Sequence, residues 1–130
     1  MNEHPFVTLA KRGYEAFRAG DLATLNEVFA DDIIFHVPGT GTVSNTYRGK
    51  DATFGYFGKL VELTNGTFKV ESLKIYVSDD QVAMLDRITA ARNGKTLDQE
   101  LVLVLKVRDG QFVEGWDHFE DLAAWNDFWS

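Results

Sequence analysis

The sequence predicts an α+β fold in which three N-terminal helices pack on one face of a curved, mainly antiparallel sheet and a short helix ends the chain. Two observations predict it. Apolar residues recur every three or four positions in residues 5–29 and 50–63, which is the period of a helix with one buried face. From residue 68 onward the period changes to two, and short turns separate the segments. Helices followed by a meander of strands indicate separate helical and sheet layers.

The bulk composition indicates one domain, residues 1–130, because 130 residues can bury a core without disulfides or metal. The formal charge of −7 argues against a nucleic-acid partner, since phosphate binding needs a basic face. The chain has no Cys, no apolar run of membrane-spanning length and no features of a signal peptide. We therefore expect no membrane association and a cytoplasmic location.

The helices are predicted from their apolar stripes and their end signals. Residues 5–19 form the first helix, which Gly20 ends, and Asp21 is a suitable N-cap for a short second helix. Residues 50–63 form the third helix, and its inner face is predicted to carry Phe54, Phe57, Gly58 and Val61.

The strands are predicted from β-branched and aromatic segments between turns. Residues 33–37 form a first strand, and residues 38–49 are expected to be a loop. A change of phase near residues 71–72 indicates a bulge, and Asn93-Gly94 and Asp109-Gly110 are strong hairpin signals. The remaining predicted elements are strands at residues 68–77, 82–92, 95–108 and 111–119, and a final helix at residues 120–128.

The centre of the long strand, residues 101–105, is apolar on both faces. Because the helices can cover only one face of the sheet, Val102 and Val104 need another cover. We therefore predict a homodimer through the outer sheet face. The alternative is that the C-terminal helix folds over that face.

Five short segments stand out by their order and spacing along the chain. They are Gly20-Asp21, Phe29-Ala30-Asp31-Asp32, Tyr47-Arg48-Gly49-Lys50, Val107-Arg108-Asp109-Gly110 and Trp116-Asp117-His118-Phe119-Glu120-Asp121. With them the chain resembles the SnoaL-like and ketosteroid-isomerase-like branch of the nuclear transport factor 2 (NTF2-like) superfamily over essentially its whole length. The resemblance implies a cone-shaped α+β fold with a blind apolar pocket. The fold hosts both enzymes and non-catalytic binders, so function has to be argued from the pocket.

The alternation of side chains along each strand then sorts residues between the pocket and the outer face. It predicts Phe35 and Val37 inside and Asp117 inside together with Val113. It puts Arg87 and Thr89 on one face of their strand, and the resemblance implies that this face is the pocket face. The predicted substrate-binding side chains are Tyr14, Phe17, Phe35, Val37, Phe57, Thr89, Leu103 and Phe119.

Two known patterns of the superfamily match this chain only in part. Steroid-isomerase chemistry is disfavoured, because the places of its Tyr and its two acids hold Gly13, Val37 and about Leu103. The resemblance to limonene epoxide hydrolase is closer, since Asp117 matches its base and Arg87 its Arg. The part of that site that holds water is missing.

These residues lead to a hypothesis of a small enzyme that isomerises, cyclises or hydrolyses a hydrophobic small molecule by cofactor-free acid/base chemistry. Asp117 is the predicted base, and Arg87 orients it or stabilises charge. The alternative is a non-catalytic dimeric module that binds an apolar ligand or a protein, with the two residues as a structural ion pair. We expect no metal site, because the three His residues are dispersed.

Overall fold

The computed structural model describes residues 3–130, and this part of the chain forms four helices and a six-stranded sheet. The α+β class and the helix-first order are as the sequence predicts. The elements are α1 (Pro5–Ala19), α2 (Leu22–Val28), β1 (Phe29–Val37), β2 (Asn45–Arg48), α3 (Lys50–Glu62), β3 (Lys69–Val77), β4 (Gln81–Arg92), β5 (Lys95–Arg108), β6 (Gln111–Phe119) and α4 (Leu122–Phe128).

The ends of the first two helices follow from their end residues. Gly20 adopts a left-handed conformation with φ of 67° and ends α1. The Asp21 carboxylate accepts a hydrogen bond from the Thr24 backbone N–H at 3.1 Å and so caps α2. Both signals were visible in the sequence.

The strands lie in the order β2-β1-β6-β5-β4-β3, and every neighbouring pair is antiparallel except β1 with β6. The β3–β4 register shifts between Ser72 and Lys74, close to the predicted bulge. A second register shift, between Lys106 and Val107, was not predicted. Such bulges increase local twist and help to curve the sheet around the helices.

The predicted loop of residues 38–49 contains strand β2, which pairs with the far end of β1. Strand β1 itself begins at Phe29 rather than at residue 33. The sequence missed both features because β2 has only four residues at a sheet edge and Asp31-Asp32 looked like a turn. Single-sequence patterns are weak for such short edge strands.

The C-terminal helix closes one end of the layered structure instead of covering the outer sheet face. Trp125 is buried and reaches the space between the helices and the sheet, whereas Val102 on the outer face remains 36% exposed. The Gln99 side chain holds the start of α4 by hydrogen bonds to the backbone N–H and C=O of Asp121, at 2.9 and 3.0 Å. The outer face therefore stays uncovered in the single chain.

Within residues 3–130, none of the helices has both the length and the apolar character that a membrane crossing requires.

Candidate functional site

A cavity of about 100 Å³ lies between the helices and the inner face of the sheet. Its walls are mostly aromatic and aliphatic; for example, the rings of Phe17 and Phe57 meet edge to face with centroids 5.4 Å apart. Apolar pockets with a few convergent polar groups are typical of small-molecule sites. The residues with titratable side chains in this wall are Tyr14, Tyr56, Asp86 and Asp117.

Asp117 lies on β6 with its side chain directed into the cavity, as the sequence predicts. It is 7% exposed, and it lies opposite Leu103 of the neighbouring strand. Burial and, to a smaller extent, the negative charge of Asp86 raise the pKa of Asp117 to about 7, although a hydrogen bond from Tyr56 opposes the rise. A carboxyl group with a pKa near neutrality can both accept and return a proton under ordinary conditions.

Tyr56, on α3, is the hydrogen-bond partner of this acid. Its hydroxyl donates to Oδ2 of Asp117 at 3.5 Å, and its ring stacks on that of Tyr47 with centroids 4.8 Å apart. Burial and the neighbouring carboxylate raise the pKa of Tyr56 well above its usual value, so the group stays protonated and remains a donor.

Sequence reasoning missed Tyr56 because the predicted inner face of α3 was rotated by one residue. The buried positions are Thr53, Tyr56 and Leu60, while Val61 is 44% exposed. The buried set has the same i, i+3, i+7 spacing as the predicted set, and a shift of one residue turns a helix by about 100°. Phe57 still contributes to the cavity wall from the edge of the buried face.

Strand β4 places Asp86 in the cavity, not Arg87. Asp86 lies opposite Leu101, and residues opposite each other in a sheet share a face. The Asp86 side chain is 3% exposed, and its Oδ1 atom has no hydrogen-bond partner. Burial raises the pKa of Asp86 to about 6, although a hydrogen bond from the Ser72 side chain opposes the rise.

The predictions that Arg87 and Thr89 line the cavity beside Asp117 are therefore wrong, and both residues instead line a separate open groove next to Tyr14. The Arg87 side chain is 49% exposed on the outer face and forms two hydrogen bonds with Asp98, at 2.9 and 2.8 Å. Thr89 lies on the same outer side, opposite Asp98 and Lys69. The turn at residues 93–94 pairs Arg92 with Lys95 and so fixes this register.

The last strand brings Phe112 into the cavity in place of the predicted Val113. Because Lys106 pairs with Glu114 and Val107 pairs with Phe112, Val113 is left without a partner in the bulge. Phe112 is buried and contributes to the cavity wall.

Most of the other side chains that were predicted to bind substrate do line the cavity. Their role in substrate binding stays a prediction. Val37 is buried but belongs to the core and not to the cavity wall. The Tyr14 hydroxyl donates a hydrogen bond to the backbone oxygen of Val70 at 3.1 Å, so its proton already has an acceptor within the protein. The predicted residues that do contribute to the wall are Tyr14, Phe17, Phe35, Phe57, Leu103 and Phe119.

His36 lies outside the cavity, as predicted. Its ring stacks on Trp116 with centroids 5.6 Å apart, and its Nε2 atom is 2.6 Å from Oε2 of Glu114. In the part of the chain that the structure describes, no three His, Cys, Asp or Glu side chains form a group that could hold a metal ion.

Comparisons with known proteins agree with this geometry. The family described as "SnoaL-like domain" matches residues 10–115. An uncharacterised protein of Mycobacterium tuberculosis is 31% identical over 131 residues, which span the whole of both chains. The structure of Bal32a, from a soil-derived mobile gene cassette, shares 38% identity with a TM-score of 0.94 over 97% of each chain. A loop-truncation variant of IdmH shares 26% identity with a TM-score of 0.75, over 90% of this chain and 93% of the other.

Proposed function

The chain belongs to the SnoaL-like branch of the NTF2-like superfamily, and from this premise we propose that it catalyses cofactor-free acid/base chemistry on a hydrophobic small molecule in the cavity. Asp117 is the base, and Tyr56 holds its carboxylate. The observation that carries the proposal is a buried carboxyl group in an apolar cavity whose pKa lies near 7.

The step that this geometry suits is removal of a proton from a carbon next to a carbonyl group. A carboxylate oxygen of Asp117 takes the proton, and the electrons of the C–H bond form the double bond of an enol or enolate. Return of the proton to another carbon completes an isomerisation. Attack of the enolate carbon on a second carbonyl of the same molecule forms a C–C bond and moves the π electrons of that carbonyl onto its oxygen, and the Asp117 carboxyl then gives its proton to this oxygen, which completes a cyclisation.

Proton transfer fits the cavity better than hydrolysis does. Hydrolysis needs polar groups that hold and activate a water molecule, whereas Phe35 and Leu103 beside Asp117 are apolar and the Tyr56 hydroxyl is engaged with the Asp117 carboxylate itself. The comparison with IdmH from Streptomyces antibioticus, a proposed polyketide cyclase, supports the same class of reaction.

The experiment is hydrogen–deuterium exchange at carbon, because it detects the proposed step whatever the final product is. A panel of cyclic and aryl ketones is incubated with the protein in D₂O, and deuterium at the carbon next to the carbonyl is followed by proton NMR. We expect faster exchange with the wild-type protein and a loss of that acceleration in Asp117→Asn. Asp98→Asn is the matched control, since Asp98 lies on the outer face and is exposed.

Ketone binding is followed in the same samples from changes in ligand line width. Ketones that bind without accelerated exchange would contradict the enzyme and favour the non-catalytic binding module. Exchange that persists unchanged in Asp117→Asn would contradict the choice of base.

A further inference from the structure

We propose that the substrate is a carbonyl compound with an apolar tail, and that the tail lies in an open groove between α2 and α3 while the carbonyl group reaches the cavity. This inference rests on the proposed function and specifies its substrate class. Four features of the structure lead to it: the small cavity, the apolar lining of the groove, two glycines of α3, and the side chains that separate the groove from the cavity.

The first feature is the size of the cavity. Its volume is about 100 Å³, whereas an apolar cavity of about 150 Å³ is a size known to hold benzene. The cavity therefore has room for a carbonyl group with a few carbon atoms and not for a larger hydrophobic molecule. The rest of a larger substrate has to extend out of the cavity.

The second feature is the groove, which has a volume of about 700 Å³. It lies between α2 and α3 because α2 packs mainly on α1 and β1, while α3 packs mainly on β1 and β2. Leu22 of α2 and Val61 of α3 are 64% and 44% exposed in its walls. Among the residues that the structure describes, those lining this groove carry no charge. Such a surface suits an apolar ligand and offers no partner to a charged one.

The third feature is a pair of glycines in the interior of α3. Gly55 and Gly58 line the groove, and a Cβ atom added at either residue would meet no neighbouring atom within 4 Å. Neither residue has a positive φ angle, so neither packing nor backbone conformation requires glycine there. Glycine inside a helix costs stability relative to alanine. What the two glycines provide is open space in the groove, and a local cost of this kind is typical of functional sites.

The fourth feature is the wall between the groove and the cavity. Phe17, Leu25 and Phe57 line both spaces, so a single layer of side chains separates them. The rings of Phe17 and Phe57 meet edge to face, and both side chains are only half-buried. Turning these rings toward the groove keeps them in apolar surroundings and connects the two spaces. On the cavity side, the ring of Phe57 is 5.7 Å from that of Phe35, which lines the cavity with Asp117.

A homologous series of methyl ketones tests the inference, because its members differ only in the length of the tail. The probes run from 2-butanone to 2-decanone, and their binding is measured by proton NMR titration. Each CH₂ group that becomes buried raises the affinity by up to about fourfold. We therefore expect the wild-type protein to bind 2-decanone at least about tenfold more tightly than 2-butanone.

Two variants of α3 separate the groove from other apolar surface. Gly58→Leu puts a side chain into the groove, so it should remove the gain in affinity with chain length and leave the affinity for 2-butanone unchanged. Ala52→Leu is the matched control, because Ala52 is exposed on the same helix and does not line the groove. It should bind the series like the wild type. Equal affinities across the series in the wild-type protein, or a gain that Gly58→Leu leaves unchanged, would overturn the inference.

A second measurement needs no variant. In the complex of the wild-type protein with 2-decanone, nuclear Overhauser effects should connect the terminal methyl group of the tail with the Hα protons of Gly55 and Gly58. The methyl group next to the carbonyl should instead show contacts with the ring of Phe35. A terminal methyl group whose contacts lie outside the groove would overturn the inference.

The deuterium-exchange assay keeps this outcome distinct from that of the proposed function. If exchange of the ketones depends on Asp117 while their affinity is independent of chain length, the proposed base stands and the groove is refuted as the site of the tail. If the affinity rises with chain length and Gly58→Leu removes the rise while no ketone exchanges, the groove holds the tail and the proposed base is refuted.

Discussion

Replacing Asp117 by Asn should stabilise the fold at alkaline pH and have little effect at acidic pH. The folded-state pKa of Asp117 is about 7 against an ordinary value of 3.8, so the folded state holds its proton more tightly than the unfolded chain does. The stability that this proton contributes is fully present below about pH 4, is lost as the pH rises toward 7, and is absent above it. Asn cannot ionise, so the variant avoids this loss.

The size of the effect follows from the difference in pKa. A difference of about 3 units at about 1.4 kcal/mol per unit gives a free energy of unfolding that is about 4 kcal/mol higher in the variant at pH 8. The assay is urea unfolding at pH 4 and pH 8, followed by the fluorescence of the buried Trp125 and Trp129.

The control for this assay is Asp98→Asn, in which an exposed acid is replaced. The guanidinium of Arg87 lowers the pKa of Asp98, so this substitution should lower stability slightly at pH 8. A variant at position 117 that is no more stable than the wild type at pH 8, or that gains equally at pH 4, would refute the assignment of a strongly raised pKa.

Three further substitutions test other parts of the structure. Arg87→Ala should leave ketone exchange unchanged, because the side chain lies on the outer face; a loss of exchange would restore the role that the sequence predicted. Gly115→Ala should lower the free energy of unfolding by about 1–3 kcal/mol in urea titrations, since a Cβ there would lie 2.9 Å from two neighbouring side chains. We also propose that the outer sheet face pairs two copies of the chain, so Val102→Lys should convert a dimer to a monomer in sedimentation experiments; a wild-type monomer would contradict it.

The hairpin turns were the signals that predicted most of the strand ends. The same turns also fix the strand register, which corrects the prediction of the inward-facing residues of β4. The ends of β5 and β6 are as predicted because Asn93-Gly94 and Asp109-Gly110 specify two-residue turns. Counting from the first turn pairs Asp86 with Leu101, so the inner acid of β4 could have been deduced. The sequence prediction assigned Arg87 inside from a motif instead of from the register.

Other parts of the site could not be deduced from the sequence alone. The bulge that brings Phe112 inward has no distinctive residue, since Lys106 and Val107 continue an ordinary strand pattern. The rotation of α3 that buries Tyr56 depends on how the helix packs on the sheet, and two stripes on that helix have equivalent spacing. The bulge and the rotation of α3 both depend on tertiary packing, so the local periodicity of the sequence does not predict them.

A carbon-13 NMR titration of the carboxyl groups of labelled Asp side chains tests whether Asp117 holds a proton up to neutral pH. Two of these groups should titrate well above 4, near 6 and 7, and Asp117→Asn should remove the higher one. In Tyr56→Phe the pKa of Asp117 should rise further, because the hydrogen bond that lowers it is gone. If every Asp carboxyl titrates near its ordinary value, the cavity holds no acid poised for proton transfer and the central claim is contradicted.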